Sequence, residues 1–220
     1  MSPERSALRA ALALYDTQSA GVRFHTRARA WTAPLEPVIG AIPPDARLLD
    51  VGCGHGLISN AVALRRPAAR VLGVDVSETK IASALQTVSL RTNVEFRRER
   101  LESVAETGFD AVSLVDVLYL VPAASWGEFL RRCADKLNPG GVFVLKEIGT
   151  QPRWKFERLR LQEFVSTRIT RITTGDQMHF ESGADLRTRL VSSGLVDVTL
   201  TMLDRGYASP HLMLTGRKPA

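Results

Sequence analysis

The sequence predicts an α/β fold: a doubly wound, mostly parallel sheet of seven strands closed by a C-terminal antiparallel hairpin. Three observations carry this expectation. Apolar runs of strand length alternate with segments whose apolar residues recur at helical spacing. The first run, Leu48-Leu49-Asp50-Val51, passes straight into Gly52-Cys53-Gly54-His55-Gly56, the tight strand-to-helix turn that open α/β sheets use to hold ligands. Near the end the pattern changes to two alternating strands, Leu195 to Met202 and Pro210 to Thr215, with only a short connection between them.

At 220 residues and 45% hydrophobic content, the chain is long enough to bury one sizeable core, and one domain is expected over 1–220. Within it the pattern divides into an N-terminal helical cap (1–44), a ligand-binding half (45–150), a helical insertion (151–180) and a closing helix with its hairpin (181–220). The formal charge of +6 suits an anionic substrate, a nucleic acid or a membrane surface, and is equally that of a solvated basic face. Two cysteines make no disulfide framework, so a reducing, cytoplasmic setting is expected. The apolar run Ala10 to Leu14 is too short to span a bilayer and has no recognisable cleavage pattern beside it.

In chain order, Leu8, Leu12 and Tyr15 mark a helical face over 4–15. The stretch to Trp31 then interleaves aromatic residues with Arg23, Arg27 and Arg29. Such a segment either stacks on nucleic acid or forms the lid of a small-molecule pocket; its shortness and its place directly before the first strand favour the lid. The first strand is Arg47 to Val51, and the helix after the glycine turn, Leu57 to Arg65, is stopped by Pro67. A dinucleotide loop needs G-x-G-x-x-G, and Leu57 stands where its third glycine belongs; the spacing here is G-x-G-x-G. The second strand, Val71 to Asp75, ends in an acid placed to accept from both hydroxyls of a ribose if the two strands pair in parallel. Ser77 supplies the N-cap of the next helix, Glu78 to Leu90.

Val94 to Phe96 reads as a third strand, followed by Arg97-Arg98-Glu99-Arg100-Leu101-Glu102. Phe109 to Leu120 is a near-continuous apolar run, a fourth strand buried on both faces that runs out into a loop at Asp116. Ser125-Trp126-Gly127-Glu128 has the form of a capping box, and the helix it opens places Cys133 in the core. Asn138-Pro139-Gly140-Gly141 is a turn leading to a fifth strand, Val142 to Leu145, which ends at Lys146-Glu147. The insertion that follows is the most basic part of the chain, with Trp154, Phe156, Phe164 and Val165 among Arg153, Lys155, Arg158, Arg160, Arg168 and Arg171. Those arginines either meet an anionic acceptor or pair with Glu157 and Glu163. Ser182, with Asp185 three residues on, caps the last helix, which Gly194 ends.

The run Leu48 to Gly56, the phenylalanine-aspartate opening of the fourth strand and the Pro139-Gly140-Gly141 turn together resemble class I S-adenosylmethionine-dependent methyltransferases over about residues 45–218. The resemblance implies a Rossmann-like fold with S-adenosyl-L-methionine as cofactor and no metal. It places Asp50, Gly52, Cys53 and Gly54 at the methionine end, Asp75 and Val76 at the ribose, Arg100 and Leu101 at the adenine, and Val115 and Asp116 beside the reacting methyl. The chain departs from the family where an aspartate commonly receives the adenine amino group: Arg100 stands there, between Glu99 and Glu102.

Methyl transfer from a sulfonium needs position, desolvation and removal of the acceptor's proton. Alignment of the reactants alone can contribute roughly 7–11 kcal/mol. Candidate bases are His179, His211 and Glu147. The signature of amino-group methylases is absent, Asp116-Val117-Leu118-Tyr119 occupying its place. This favours a small-molecule acceptor, aromatic, quinone-like or lipid, anionic or membrane-associated, over nucleic acid. The competing readings are an RNA methyltransferase using the basic segments and a cofactor-binding protein without catalysis; a nicotinamide dehydrogenase is least compatible with Leu57.

Overall fold

The first five strands of the chain pair in parallel, and the order across the sheet is β3-β2-β1-β4-β5-β7-β6. The computed structural model describes residues 2–89, 91–158 and 179–220. The strands are β1 (Arg47–Val51), β2 (Arg70–Asp75), β3 (Val94–Arg98), β4 (Phe109–Val115), β5 (Leu137–Ile148), β6 (Val196–Met202) and β7 (His211–Arg217). β7 runs antiparallel to both β5 and β6, so it forms the expected closing hairpin. The helices are α1 (Pro3–Ala13), α2 (Ala20–Thr32), α3 (Glu36–Ala41), α4 (Leu57–Arg65), α5 (Glu78–Leu85), α6 (Trp126–Asp135) and α7 (Gly183–Ser192).

Alternation along β1 explains the two layers. Leu48 packs with α1, α3, α4 and α5 on one face. Leu49 and Val51 pack with Trp126, Leu130 and Cys133 of α6 and Leu186 and Leu190 of α7 on the other. Because β2 and β4 flank β1, the connections diverge to opposite faces there, and a crevice opens at the carboxyl ends of these strands.

Several boundaries differ from the sequence expectations. The helix opened by Ser77 ends at Leu85 rather than Leu90, and residues 86–89 continue as a turn. The Asn138 to Gly141 segment lies within β5 as an irregular stretch, with a register shift opposite Phe109 and Ala111 and Gly140 at φ +75°. Ser125 makes no side-chain cap: a 3₁₀ turn at Ala123–Ser125 leaves it helical, and Glu128 pairs instead with Arg131 and Arg132. Ser77 and Ser182 do cap their helices. In the insertion, residues 153–158 are helical; Arg160, Glu163, Phe164, Val165, Arg168 and Arg171 lie outside the described residues. Among the described residues no helix is long and apolar enough to cross a membrane.

Candidate functional site

The glycine turn begins where β1 runs out of partners. The Gly52 and Cys53 N–H groups both donate to the Val74 carbonyl of β2, at 2.8 and 3.0 Å, which ties the turn to the neighbouring strand. Gly52 and Gly56 have φ of +70° and +81°, a left-handed conformation that a side chain disfavours. Gly56 also lies so close to Phe96 and Ala84 that a Cβ would meet Phe96 Cζ at 2.5 Å and Ala84 Cβ at 3.2 Å. At Gly54 the position is the reverse: a Cβ there would meet nothing nearer than Lys80 Cδ at 4.0 Å. The turn therefore packs tightly against the sheet behind and leaves a concavity in front.

Polar side chains hold the turn from below. Asp50 is buried and accepts from the hydroxyls of Ser59 (2.6 Å) and Ser113 (2.7 Å), which oppose but do not cancel the upward pKa shift that burial causes. Tyr15 donates its hydroxyl to the His55 carbonyl at 2.7 Å and accepts from Asn60 at 3.0 Å. Asp75, at the end of β2, accepts from the Gly54 N–H at 2.9 Å and the Ser77 N–H at 2.8 Å. Its carboxylate thus braces the turn while facing the cavity.

That cavity has a volume of about 720 Å³, within the range of small-molecule and cofactor sites. All ten residues expected to touch a cofactor line it: Asp50, Gly52, Cys53, Gly54, Asp75, Val76, Arg100, Leu101, Val115 and Asp116. Glu99 and Glu102 line it too, beside Arg100. The α2 segment covers it as the lid reading expects, contributing His25, Thr26 and Arg29.

The wall at the end of β4 is a buried ion cluster. Asp116, at φ +53°, receives both Lys146 Nζ contacts (2.8 and 2.7 Å) and Arg29 Nη2 at 2.8 Å. Arg29 also donates to the Val115 carbonyl at 3.2 Å, so α2 is pinned to the strand end. Burial works against the Asp116 charge, but Lys146 and Arg29 outweigh it and hold the carboxyl below its ordinary range. Asp116 is therefore no turn cap; its carboxylate is engaged by two cations at the cavity wall.

None of the three expected bases, His179, His211 or Glu147, lines this cavity. Glu147 is buried behind the ion cluster, where its Oε1 accepts from the Val117 and Leu118 N–H groups at 3.0 and 2.8 Å. Burial and the neighbouring Asp116 push its pKa up to about 8. His211 Nε2 lies 3.0 Å from the Thr32 carbonyl, which can only accept, so the ring is Nε2-protonated with a buried, unpartnered Nδ1. Burial, then Lys146, lowers its pKa to about 4. His179 lies half exposed, edge-on to Trp126 with ring centroids 5.2 Å apart. Side-chain chemistry alone makes all three candidates; the fold uses two of them inside its core. The cavity imidazoles are instead His25 and His55.

The Glu147 environment has a measurable consequence. A carboxyl whose folded pKa lies above its unfolded value stays protonated in the folded chain while the unfolded chain has already ionised. Stability therefore falls as pH rises from the ordinary carboxyl range to about 8. His211 acts in the opposite sense between about 4 and its ordinary value of 6.5, and Lys146, whose pKa burial lowers, acts in that sense at higher pH, so the Glu147 contribution is read as the difference between wild type and a Glu147 variant. Urea unfolding is expected to show that contribution falling by up to about 2 kcal/mol between pH 6.5 and 8. Glu147→Gln, which keeps an acceptor for both N–H groups, is expected to lack this loss; parallel curves would contradict the assignment.

A family profile described as a methyltransferase domain matches residues 23–200. The ubiquinone biosynthesis O-methyltransferase of Dechloromonas aromatica (strain RCB) is 36% identical over 111 residues, 49% of this chain and 46% of that protein. The chain thus spans about half the length of the curated relatives it matches. Among solved structures, an O-methyltransferase family protein from Burkholderia thailandensis superposes with a TM-score of 0.72 at 19% identity, covering 94% of this chain and 62% of that one. The 4+2 cyclase SpnF superposes at 0.64 and 19% identity, covering 84% and 80%. These structural likenesses carry the fold alone, and one fold hosts more than one reaction.

Proposed function

The chain belongs to the methyltransferase-domain family, and from that premise we propose that it transfers a methyl group from S-adenosyl-L-methionine to a small-molecule hydroxyl acceptor. The observation that carries this reading is the concave glycine turn. Its open side at Gly54 and the cavity-facing Asp75 carboxylate lie on one 720 Å³ cavity. The cofactor supplies an electrophilic methyl on a sulfonium. The chain supplies the rest: Gly52, Cys53 and Gly54 offer backbone at the methionine end, and Asp75 offers carboxylate lone pairs to the ribose beyond those its two N–H donors occupy. Leu101, buried at the start of a 3₁₀ turn, offers an apolar seat for the adenine. Arg100, Glu99 and Glu102 surround that seat in place of the usual aspartate. Val115, Asp116 and Arg29 wall the acceptor side.

The named activity of the Dechloromonas relative supports an O-methyl acceptor of aromatic or quinone-like type. The free thiols of Cys53 and Cys133 fit a reducing, cytoplasmic setting. Asp75→Ala is expected to weaken S-adenosylhomocysteine binding by about 10- to 100-fold, the loss of charge-assisted hydrogen bonds, as read by titration calorimetry. The reaction itself is tested with methyl-labelled cofactor against catechols, hydroxyquinols and total RNA. Label on a small phenolic acceptor is expected; label on RNA alone, with affinity falling steeply in salt, would replace this reading with the nucleic-acid one.

A further inference from the structure

The three bases suggested by sequence lie away from the cavity, so the proton of a hydroxyl acceptor needs another destination. On α2, His25, Thr26 and Arg29 occupy one helix face turned to the cavity. Thr26 is tied to the carbonyls of Val22 and Arg23, and Arg29 to Asp116. The His25 ring makes no hydrogen bond among the described residues. It lies against the His55 ring of the glycine turn, centroids 5.1 Å apart and planes inclined at 59°. The His55 ring has a buried Nδ1 without a partner, and its backbone is anchored by Tyr15. This pair spans the cavity between lid and turn.

We propose that His25 is the proton-accepting catalytic residue of the methyl transfer, acting on a weakly acidic hydroxyl acceptor bound beneath α2 on the side walled by Val115, Asp116 and Arg29. This rests on the cofactor reading above. The acceptor's oxygen forms the new bond to the methyl carbon as the carbon–sulfur bond breaks, and that bond's electron pair leaves with sulfur. The oxygen's own proton passes to a bare His25 ring nitrogen, and the imidazolium formed releases it to solvent through the open cavity. The charged groups facing His25 favour a neutral ring: Arg29 one turn along its own helix and Lys80 of α5. Burial, then Arg29 and Lys80, lowers the His25 pKa, so the ring is neutral and able to accept at neutral pH. Burial and then the His25 charge lower that of His55 too, which keeps the pair from protonating together.

The test uses the full chain and needs no acceptor. With four histidines in the sequence, each imidazole can be assigned by nitrogen-15 NMR and single variants, then titrated in complexes with S-adenosylmethionine and with S-adenosylhomocysteine. A ring at the reacting centre feels the sulfonium charge, so the His25 midpoint is expected about one pH unit lower with the methylated cofactor than with the demethylated one. His25→Gln is expected to bind both ligands within about threefold of wild type. Equal His25 midpoints in the two complexes, or a larger loss of cofactor affinity in His25→Gln, would overturn the proposal, the second outcome making His25 a cofactor holder. If wild type binds neither ligand, the cofactor reading fails first and this proposal falls with it.

Discussion

Replacing Gly56 by alanine is expected to lower the unfolding free energy by about 2–5 kcal/mol and to remove cofactor binding with it. Two effects add. A left-handed φ of +81° costs an L-residue roughly 1–2 kcal/mol. The new Cβ would also overlap Phe96 Cζ at 2.5 Å and crowd Ala84 at 3.2 Å, and overpacking of this kind costs about 1–3 kcal/mol. Phe96 is buried in β3 and cannot swing away without disturbing its neighbours. Gly54→Ala serves as the contrast. It carries the same conformational cost but has open space in front, so it is expected to lose only about 1–2 kcal/mol while placing a methyl in the ligand concavity. Urea unfolding together with S-adenosylhomocysteine titration separates the two; a Gly54→Ala chain that binds as wild type would show that the concavity is not the ligand seat.

Lys146→Met is expected to destabilise the chain by about 3–5 kcal/mol. Lys146 is fully buried, and its ammonium bonds both oxygens of a carboxylate that is itself buried. Such a pair adds little net stability, but removing one partner strands the other in a poorly solvated site. Arg29 softens the loss, since it also reaches Asp116 at 2.8 Å. Arg29 keeps its bonds to Asp116 and to the Val115 carbonyl in this variant, so α2 stays pinned to β4 and cofactor affinity of the folded chain is expected to change little. The double variant Lys146→Met/Asp116→Asn, whose asparagine tolerates the φ of +53°, is expected to recover much of the stability while losing the Arg29 ion pair. Unfolding free energies arranged as a double-mutant cycle check this; additive losses would deny the coupling.

Much of the architecture is legible in local pattern. The glycine turn, the Pro67 stop and the serine caps at 77 and 182 depend on residues within a few positions of one another, and each lies where its chemistry requires. Ser125 shows the limit: its S-x-x-E pattern is sound, but the chain enters α6 through a 3₁₀ turn, and Glu128 finds nearby arginines instead. The cofactor-side residues are legible because strand ends in a parallel sheet converge on one edge. The acceptor side is not, because it depends on pairs distant in sequence. Arg29 of the lid meets Asp116 at the end of β4, and Glu147 and His211 withdraw into the core through the antiparallel register of β5 with β7. His25 escapes a sequence reading for the same reason. The available signal is its place four residues before Arg29, which sets both on one helix face; nothing local says which face the lid turns inward.

Binding of the methyl donor in this cavity is the claim from which the others follow. Titration calorimetry of the full chain with S-adenosylhomocysteine is predicted to give one site per chain with a dissociation constant in the micromolar range, abolished in Gly56→Ala and weakened in Asp75→Ala. An isotherm without saturable heat up to millimolar ligand, from a chain shown to be folded, would contradict it.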